Sequence, residues 1–499
     1  MQTASNKQQF VIVGGGTAGW MAACLLAHHW RDKVDVTLVE SPDIGIIGVG
    51  EGSTPTLKRF FSDLGIAESE WMPRCHATYK TNIRFVDWSP ESGIESYSHP
   101  FISQLDTFSE RAFYLNCLTR RLGLDVETTP EKLLFNGWLA NYQLAPVTPP
   151  HFPFNIEYGY HFDSGLLGQF LAEHAVQKLG VKHIQANVKA VISQANGNIE
   201  HISCKDHDDI FGDFFIDCTG FKSMLLQDTL GVPFHSFSDN LFNDSAVVFP
   251  TEVMSDLPVE TRATALSAGW TWQIPLTHRT GNGYVYSSKY ISSEEAEDEL
   301  RRHLGLGEDA QARHLAMRVG QVEQHWAHNC IGLGLSQGFI EPLEATALHL
   351  VQTSVEIFMD EYEKGSFTSQ QRDNYNATIT ERFDRVRDYI VAHYKLNTRN
   401  DSQYWKDNRN NNNLSEPLLK LLDVWFRKGD LTQEIHRQNL ASHFGATSWH
   451  CLLAGYGTFP PLSSKQPGTG CQYAERELES FFAGCMLNFQ TQKEALSGL

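Results

Sequence analysis

Phe10 to Val13 is an apolar, β-prone run that breaks at Gly14–Gly16 and resumes as an apolar-rich stretch reaching Trp30. That order predicts a strand, a tight turn and a helix. Val34 to Glu40 (VDVTLVE) reads as a second strand. Strand, glycine turn, helix and strand within about 30 residues make a βαβ unit of the dinucleotide-binding kind. Asp43 to Gly52 is glycine-rich and apolar and reads as a loop, and a helical stretch is expected from about Thr54 to Thr81. Leu144 to Pro153 (LAPVTPPHFP) carries four prolines in ten residues and predicts a surface crossing between modules. Further on, Ser164 to Leu179 has helical amphipathic spacing, and VKHIQANVKAVISQ, IEHISCKDHD and DFFIDCTGF read as strands. The 340–395 region is expected to be long and helical, with Leu348, Val351, Val355 and Phe358 on one face. Asn408 to Asn413 reads as an exposed polar loop, followed by a helix capped at Ser415.

One strand stands apart. In GWTWQIPLTHR, Trp270 and Trp272 alternate, so an extended backbone points both to the same face. Pro275 then ends the pairing or confines it to an edge. A core strand explains this much by itself.

At 499 residues the chain exceeds the usual single-domain size and predicts two or more modules. A formal charge of −19 argues against a nucleic-acid partner, because phosphate binding needs a basic surface. The nine cysteines are scattered with no CxxC pair. Reduced thiols and a cytoplasmic location are therefore expected, with neither a disulfide framework nor a metal site. No signal peptide is expected from the polar start MQTASNKQQF, and no apolar run approaches the roughly 18 residues of a membrane span.

The strongest chemical signal is Gly14-x-Gly16-x-x-Gly19, with Glu40 21 residues beyond Gly19. Glycines let the backbone approach a pyrophosphate, the helix start offers amide hydrogens, and Glu40 can accept from a ribose hydroxyl. A nicotinamide enzyme would continue with further βαβ units. Here two more cofactor-like segments come much later, Ile216 to Ser223 (IDCTGFKS) and Asn329 to Leu348 (NCIGLGLSQGFIEPLEATAL). Returning to one cofactor from separated segments is the pattern of two-domain flavoproteins with FAD.

The motifs GGGTAGW (Gly14 to Trp20), GVGEGSTP (Gly48 to Pro55), TYKTNIRFVDW (Thr78 to Trp88), HPF (His99 to Phe101), WTWQIP (Trp270 to Pro275) and FIEPLEAT (Phe339 to Thr346) appear in one order. On them the sequence resembles the flavin-dependent halogenases of the tryptophan halogenase type. The resemblance implies an α/β fold, with a Rossmann-like FAD module of the aromatic-hydroxylase type and a mainly helical second module. The expected division is 1–98 and 155–370 for the FAD module, and 99–154 and 371–499 for the substrate module. It implies reduced FAD, O2 and a halide as reactants. A flavin hydroperoxide would yield hypohalous acid, which passes through a tunnel to a lysine beside an electron-rich aromatic substrate.

Residue by residue, the resemblance assigns Lys80 and Glu344 to catalysis: Lys80 holds the oxidant, and Glu344 takes the ring proton. Cofactor contact falls to Gly14, Gly16, Thr17, Ala18, Gly19, Glu40, Gly50, Glu51 and Gly334. The halide would lie at the amides of Thr346 and Ala347, where the family carries Thr-Gly. Alanine there reaches positive φ only at a cost, so an altered, bromide-tolerant pocket is expected. His99 and Phe101 would wall the substrate ring, with Phe444 or Trp449 opposite. Trp270, Trp272 and Pro275 would line the tunnel and exclude organic substrates from the flavin by bulk.

Enzymes of the family that act on free tryptophan carry a Tyr-Tyr pair and a glutamate upstream of the C-terminal aromatic. In GDLTQEIHRQNLASHF there is no such pair, and Glu434 stands at a different place. Another indole or phenol, or a residue within a peptide, is the expected substrate. No second nucleotide fingerprint is visible, so a separate NAD(P)H-dependent flavin reductase is the expected partner; homodimerisation is consistent with the family. Two other readings stand beside this one, an FAD-dependent aromatic monooxygenase and a flavin-binding sensor without turnover.

Overall fold

The computed structural model describes residues 7–45, 50–466 and 475–499. The chain forms two compact units, one from Met1–His76, Phe162–Ser238 and Arg318–Asp384, the other from Ala77–His161, Asp239–Met317 and Arg385–Leu499. These boundaries differ from those expected from sequence. Residues 77–98 and 239–317 group with the C-terminal helices, because they are strands of a sheet that the second unit contains whole. The proline-rich stretch from Leu144 to Pro153 lies inside that unit rather than between modules.

In the first unit, Gln8–Val13 is an inner strand of a six-stranded sheet. It pairs in parallel with Val34–Glu40 on one side and Phe214–Asp217 on the other; Phe214–Asp217 pairs in parallel with Cys330–Gly332. Inner parallel strands are covered on both faces, which is why Phe10 to Val13 is a continuous apolar run. The helices Thr17–His29, Ser164–Leu179 and Ala347–Lys364 belong to this unit. Ser164–Leu179 forms as expected, with the Asp163 carboxylate accepting from the amides of Gly165 and Leu166.

The expected helix over Thr54–Thr81 is instead two short helices, Thr56–Asp63 and Glu68–Trp71, and a strand, Thr78–Lys80. Gly65, at φ +68°, ends the first of them. The long helical region divides into Ala347–Lys364 and Arg372–Leu396, parted by a turn in which Ser366 and Phe367 have positive φ. Leu348, Val351, Val355 and Phe358 are all buried, as their spacing requires. The asparagine tract starts as the end of a helix, Gln403–Asn410, and Asn408 is buried there, so the loop is shorter than expected. The helix Glu416–Phe426 forms with Ser415 Oγ accepting from the Leu418 amide.

The second unit holds a seven-stranded sheet beside its helices. Gly269–Pro275 is internal to it, flanked by Glu260–Leu266 and Thr280–Tyr286. Pro275 therefore ends the strand and does not mark a sheet edge. Trp270 and Trp272 share a face, as alternation demands, with ring centroids 6.2 Å apart. The Trp272 ring lies flat over Gly283 of the neighbouring strand, where a Cβ would come within 2.1 Å of it. The opposite face packs Val247, Phe249, Tyr284 and Tyr286 against Ala296 and Leu300 of the helix Ser293–Leu304.

Two stability predictions follow from this packing. Gly283→Ala puts a methyl group into the Trp272 ring and should cost about 1–3 kcal/mol in denaturant unfolding, with a changed tryptophan emission. His450, buried in the helix Ala446–Gly455, stacks on Tyr114 at 4.3 Å. Burial brings its pKa down to about 4, against a bond from its Nδ1 to the Ala446 carbonyl that favours the proton. The folded state thus resists a proton that the unfolded state takes up below pH 6.5, and stability falls as pH drops from there toward 4. Between pH 7 and pH 5, His450→Phe should lose less stability than the parent, by up to ~2 kcal/mol in matched unfolding curves.

Candidate active site

The first unit assembles the expected cofactor segments at the carboxyl ends of inner strands of its sheet. Gly14 follows the Gln8–Val13 strand with φ +116°, and a Cβ there would lie 2.1 Å from the Cys218 carbonyl oxygen. A Cβ on Gly19 would lie 2.1 Å from the Gly14 carbonyl oxygen. At Gly15 it would strike the Glu40 carboxylate, which lies over the turn and binds His183 Nε2 through its other oxygen at 2.7 Å. Gly16 is different, because a Cβ there meets nothing within 4 Å among the described residues. Three glycines are thus required by the chain itself, while the fourth leaves open space at the start of the Thr17–His29 helix. That space, with unshared first-turn amides, fits a pyrophosphate.

The second and third segments arrive beside it. Cys218 is the residue under Gly14, and the Leu333 amide donates to the Asp217 carbonyl. Gly334, at φ +61°, approaches Ala18 so closely that a Cβ would lie 2.9 Å from the Ala18 methyl. The Asp217 carboxylate accepts from the amides of Thr219, Leu225 and Leu226 and from Thr219 Oγ1, which fixes the turn that presents Cys218. Sequence reading singled out that segment but not this role of its aspartate.

Gly50 and Glu51 lie on a short strand, Gly50–Gly52; residues 46–49 of the expected loop, with Gly48 of the GVGEGSTP motif, fall outside the described residues. Burial raises the Glu51 pKa to about 7, opposed by a bond with Ser164 and increased by the charge of Asp163. Thr17 Oγ1 donates to the Ser164 carbonyl, so Thr17 and Glu51 share that neighbour.

Glu344 closes a single 3-10 turn, Pro342–Glu344, and is buried. Thr346 stands at the N-cap of the 18-residue helix Ala347–Lys364; its hydroxyl is buried with no hydrogen-bond partner among the described residues. Ala347 is the first residue of that helix, and the left-handed residue here is Ala345, at φ 56°. The glycine-to-alanine departure at 347 therefore carries no backbone strain, and the reason for expecting an altered halide pocket does not hold.

The second unit brings together the other expected residues. Lys80 ends the strand Thr78–Lys80 and is 0% exposed, its Nζ 5.3 Å from the centroid of Phe101. His99, near the end of the strand Ile94–Pro100 and two residues before Phe101, is buried. Its ring lies 6.5 Å from Phe444 and 5.9 Å from Tyr389. Phe444 is partly exposed, whereas Trp449 is buried edge-on against Tyr389; of the two candidates for the opposing wall, the geometry favours Phe444.

The strand of Lys80 is tied to the double-tryptophan strand by one side chain. Thr78 Oγ1 donates to the Pro275 carbonyl at 2.8 Å and so accepts from His161 Nδ1 at 3.0 Å. The other ring nitrogen, Nε2, takes the Thr261 hydroxyl at 2.9 Å. Burial, and then the charge of Lys80, hold the His161 pKa well below its ordinary value, so the ring is neutral. Neither His161 nor Tyr389 was visible in the sequence as part of a site, since buried aromatic rings read there as core. Glu434, by contrast, is taken up inside its own helix: Arg437 Nε donates to it at 2.8 Å and holds its carboxyl below the usual range.

Comparison with known proteins identifies the family of the chain. The tryptophan halogenase family model matches residues 9–468. The chain is 40% identical over 433 residues to the tryptophan 6-halogenase SttH of Streptomyces toxytricini, covering 81% of each chain. It is 37% identical over 495 residues to the 7-chloro-L-tryptophan 6-halogenase KtzR of Kutzneria sp. (strain 744), covering 94% of each. The crystal structure of a tryptophan halogenase from Shewanella frigidimarina superposes with a TM-score of 0.86 at 32% identity, over 98% of this chain and 97% of that one. The chain belongs to the tryptophan halogenase family and is a flavin-dependent halogenase.

Proposed function

We propose that this halogenase acts on an electron-rich aromatic of the indole or phenol class, or on such a ring within a peptide, and not on free tryptophan. The observation that carries the reading is Lys80, wholly shielded from water beside Phe101 in the same unit as His99 and Phe444. A lysine in that setting is a donor that water does not saturate.

Bound reduced FAD would supply the oxidising chemistry with O2, which takes two electrons from the flavin and two from chloride or bromide to leave hypohalous acid, water and oxidised FAD. The remaining work belongs to the chain. Gly14, Gly16, Gly19 and the amides of Thr17 and Ala18 bind the pyrophosphate; Glu40 accepts from the ribose; Gly50, Glu51 and Gly334 complete the cofactor contacts. Amides at Thr346 and Ala347 hold the halide, since the start of an 18-residue helix favours an anion. The bulk of Trp270 and Trp272, with the strand end at Pro275, excludes organic substrate from the oxidant's source. Lys80 holds hypohalous acid by a hydrogen bond, or its neutral amine displaces water from it to give a haloamine. The ring, lying among His99, Phe101 and Phe444, attacks the halogen from its electron-rich carbon as the halogen's bond to oxygen (or to the Lys80 nitrogen) breaks; the hydroxide (or amine) takes up a proton and leaves as water (or the free lysine). Glu344 stabilises the resulting cation and accepts its proton, which restores aromaticity.

Free tryptophan is disfavoured because its ammonium needs a partner, and Glu434 already serves Arg437. With one dinucleotide fingerprint in the chain, reduced flavin comes from a separate NAD(P)H-dependent reductase. None of the eight described cysteines is in a disulfide, and among the described residues no helix is long and apolar enough to cross a membrane; the location proposed is cytoplasmic.

The direct test is a mass scan of products from FAD, NADH, an unrelated flavin reductase and indole, with chloride or bromide in separate tubes. A halogen isotope pattern is expected. A product heavier by one oxygen would move the assignment to a monooxygenase. Lys80→Ala should abolish halogenation while flavin binding and hypohalous acid formation persist; unchanged product would remove Lys80 from the mechanism. Glu344→Gln should lower product formation by about 10²-fold or more with the same oxidant yield.

A further inference from the structure

Phe444 sits between a short 3-10 turn, Leu440–Ser442, and the helix Ala446–Gly455. The partner that fixes its ring comes from a different helix, Arg372–Leu396. Tyr389 lies face to face with Phe444, centroids 3.7 Å apart and planes within 7°. The Phe444 ring therefore copies the plane of Tyr389 while remaining partly exposed.

Tyr389 is itself immobilised on three sides. It is 0% exposed, its hydroxyl donates to the Ser448 carbonyl at 2.9 Å, and Trp449 meets it edge-on at 4.9 Å and 78°. Ser448 lies in the first turn of the helix that follows Phe444, so the same tyrosine holds both the ring and the backbone leading away from it. His99 is 5.9 Å from Tyr389, which places the two walls of the aromatic site against one shared ring.

We propose that Tyr389 is a positioning residue that determines specificity: it sets the plane of Phe444 and thereby which carbon of the bound ring is presented for halogenation. This rests on the reading that Phe444 and His99 wall the substrate. Tyr389 touches neither substrate nor oxidant; it acts through Phe444. The physical basis is the flat face of its ring, and the hydroxyl bond is secondary.

Two variants separate these contributions. Tyr389→Met fills a similar apolar volume without a flat face, and Tyr389→Phe keeps the face and loses the hydroxyl. In the free enzyme, amide hydrogen exchange over residues 443–449 should quicken in the methionine variant and stay close to the parent's in the phenylalanine variant. With indole and bromide, the methionine variant should raise KM roughly three- to tenfold, the loss expected for one stacked aromatic pair. It should also broaden the ratio of bromoindole isomers while the yield of hypohalous acid is unchanged. The phenylalanine variant should restore KM and isomer ratio.

A methionine variant with the parent's exchange and isomer ratio would overturn the proposal. So would a phenylalanine variant as impaired as the methionine one, since the hydroxyl bond alone would then be responsible. A parent enzyme that halogenates no aromatic probe would defeat the substrate reading, whereas the exchange comparison still decides whether Tyr389 holds Phe444.

Discussion

An ammonium group withdrawn from water is costly, by several kcal/mol even after the protein relaxes around it. Lys80 is such a group, and much of the second unit can be understood as what keeps it there. Its strand is only three residues long, too short to hold a register by its own ladder. Thr78 supplies the missing anchor by bonding the Pro275 carbonyl and accepting from His161. A histidine free to take a proton beside a lysine would add a second positive charge. Burial keeps this one neutral, and both of its nitrogens are occupied by threonine hydroxyls.

The WTWQIP strand gains its meaning from the same arrangement. Its tryptophans supply bulk on one face, which Gly283 accommodates by having no side chain. Its proline leaves a carbonyl at the strand end, and that carbonyl receives the Thr78 hydroxyl. Bulk and anchorage thus come from one seven-residue strand. In the first unit a comparable economy appears at the glycine turn. Gly14, Gly15 and Gly19 are demanded by contacts within the protein, and at Gly16 a Cβ would meet nothing among the described residues.

Aromatic rings divide into two kinds in the second unit. Tyr389 and Trp449 are buried and rigid, while Phe444 is partly exposed and takes its orientation from them. Recognition of a flat, weakly polar ring needs an exposed face of fixed orientation, and an exposed side chain alone does not provide one. The absence of a spare carboxylate in Glu434, already bound by Arg437, points the same way, toward a substrate known by its ring rather than by its charges.

Local pattern by itself determined the βαβ start, the Ser164–Leu179 helix, the Ser415 cap and the shared face of the two tryptophans, because each depends on neighbours within a few residues. The motif residues were legible for the same reason, since turns and strand ends write their needs into adjacent positions. Tertiary structure alone decided that Lys80 lies on a strand and not a helix, where competition from distant partners overrides local propensity. It alone decided that the 239–317 strands join the C-terminal helices, that the left-handed residue is Ala345 and not Ala347, and that Tyr389 and His161 stand behind site residues. Those partners are separated from the residues they serve by tens to hundreds of positions. Such contacts leave no periodicity in a single sequence, and only closure of the chain around a common core brings them together.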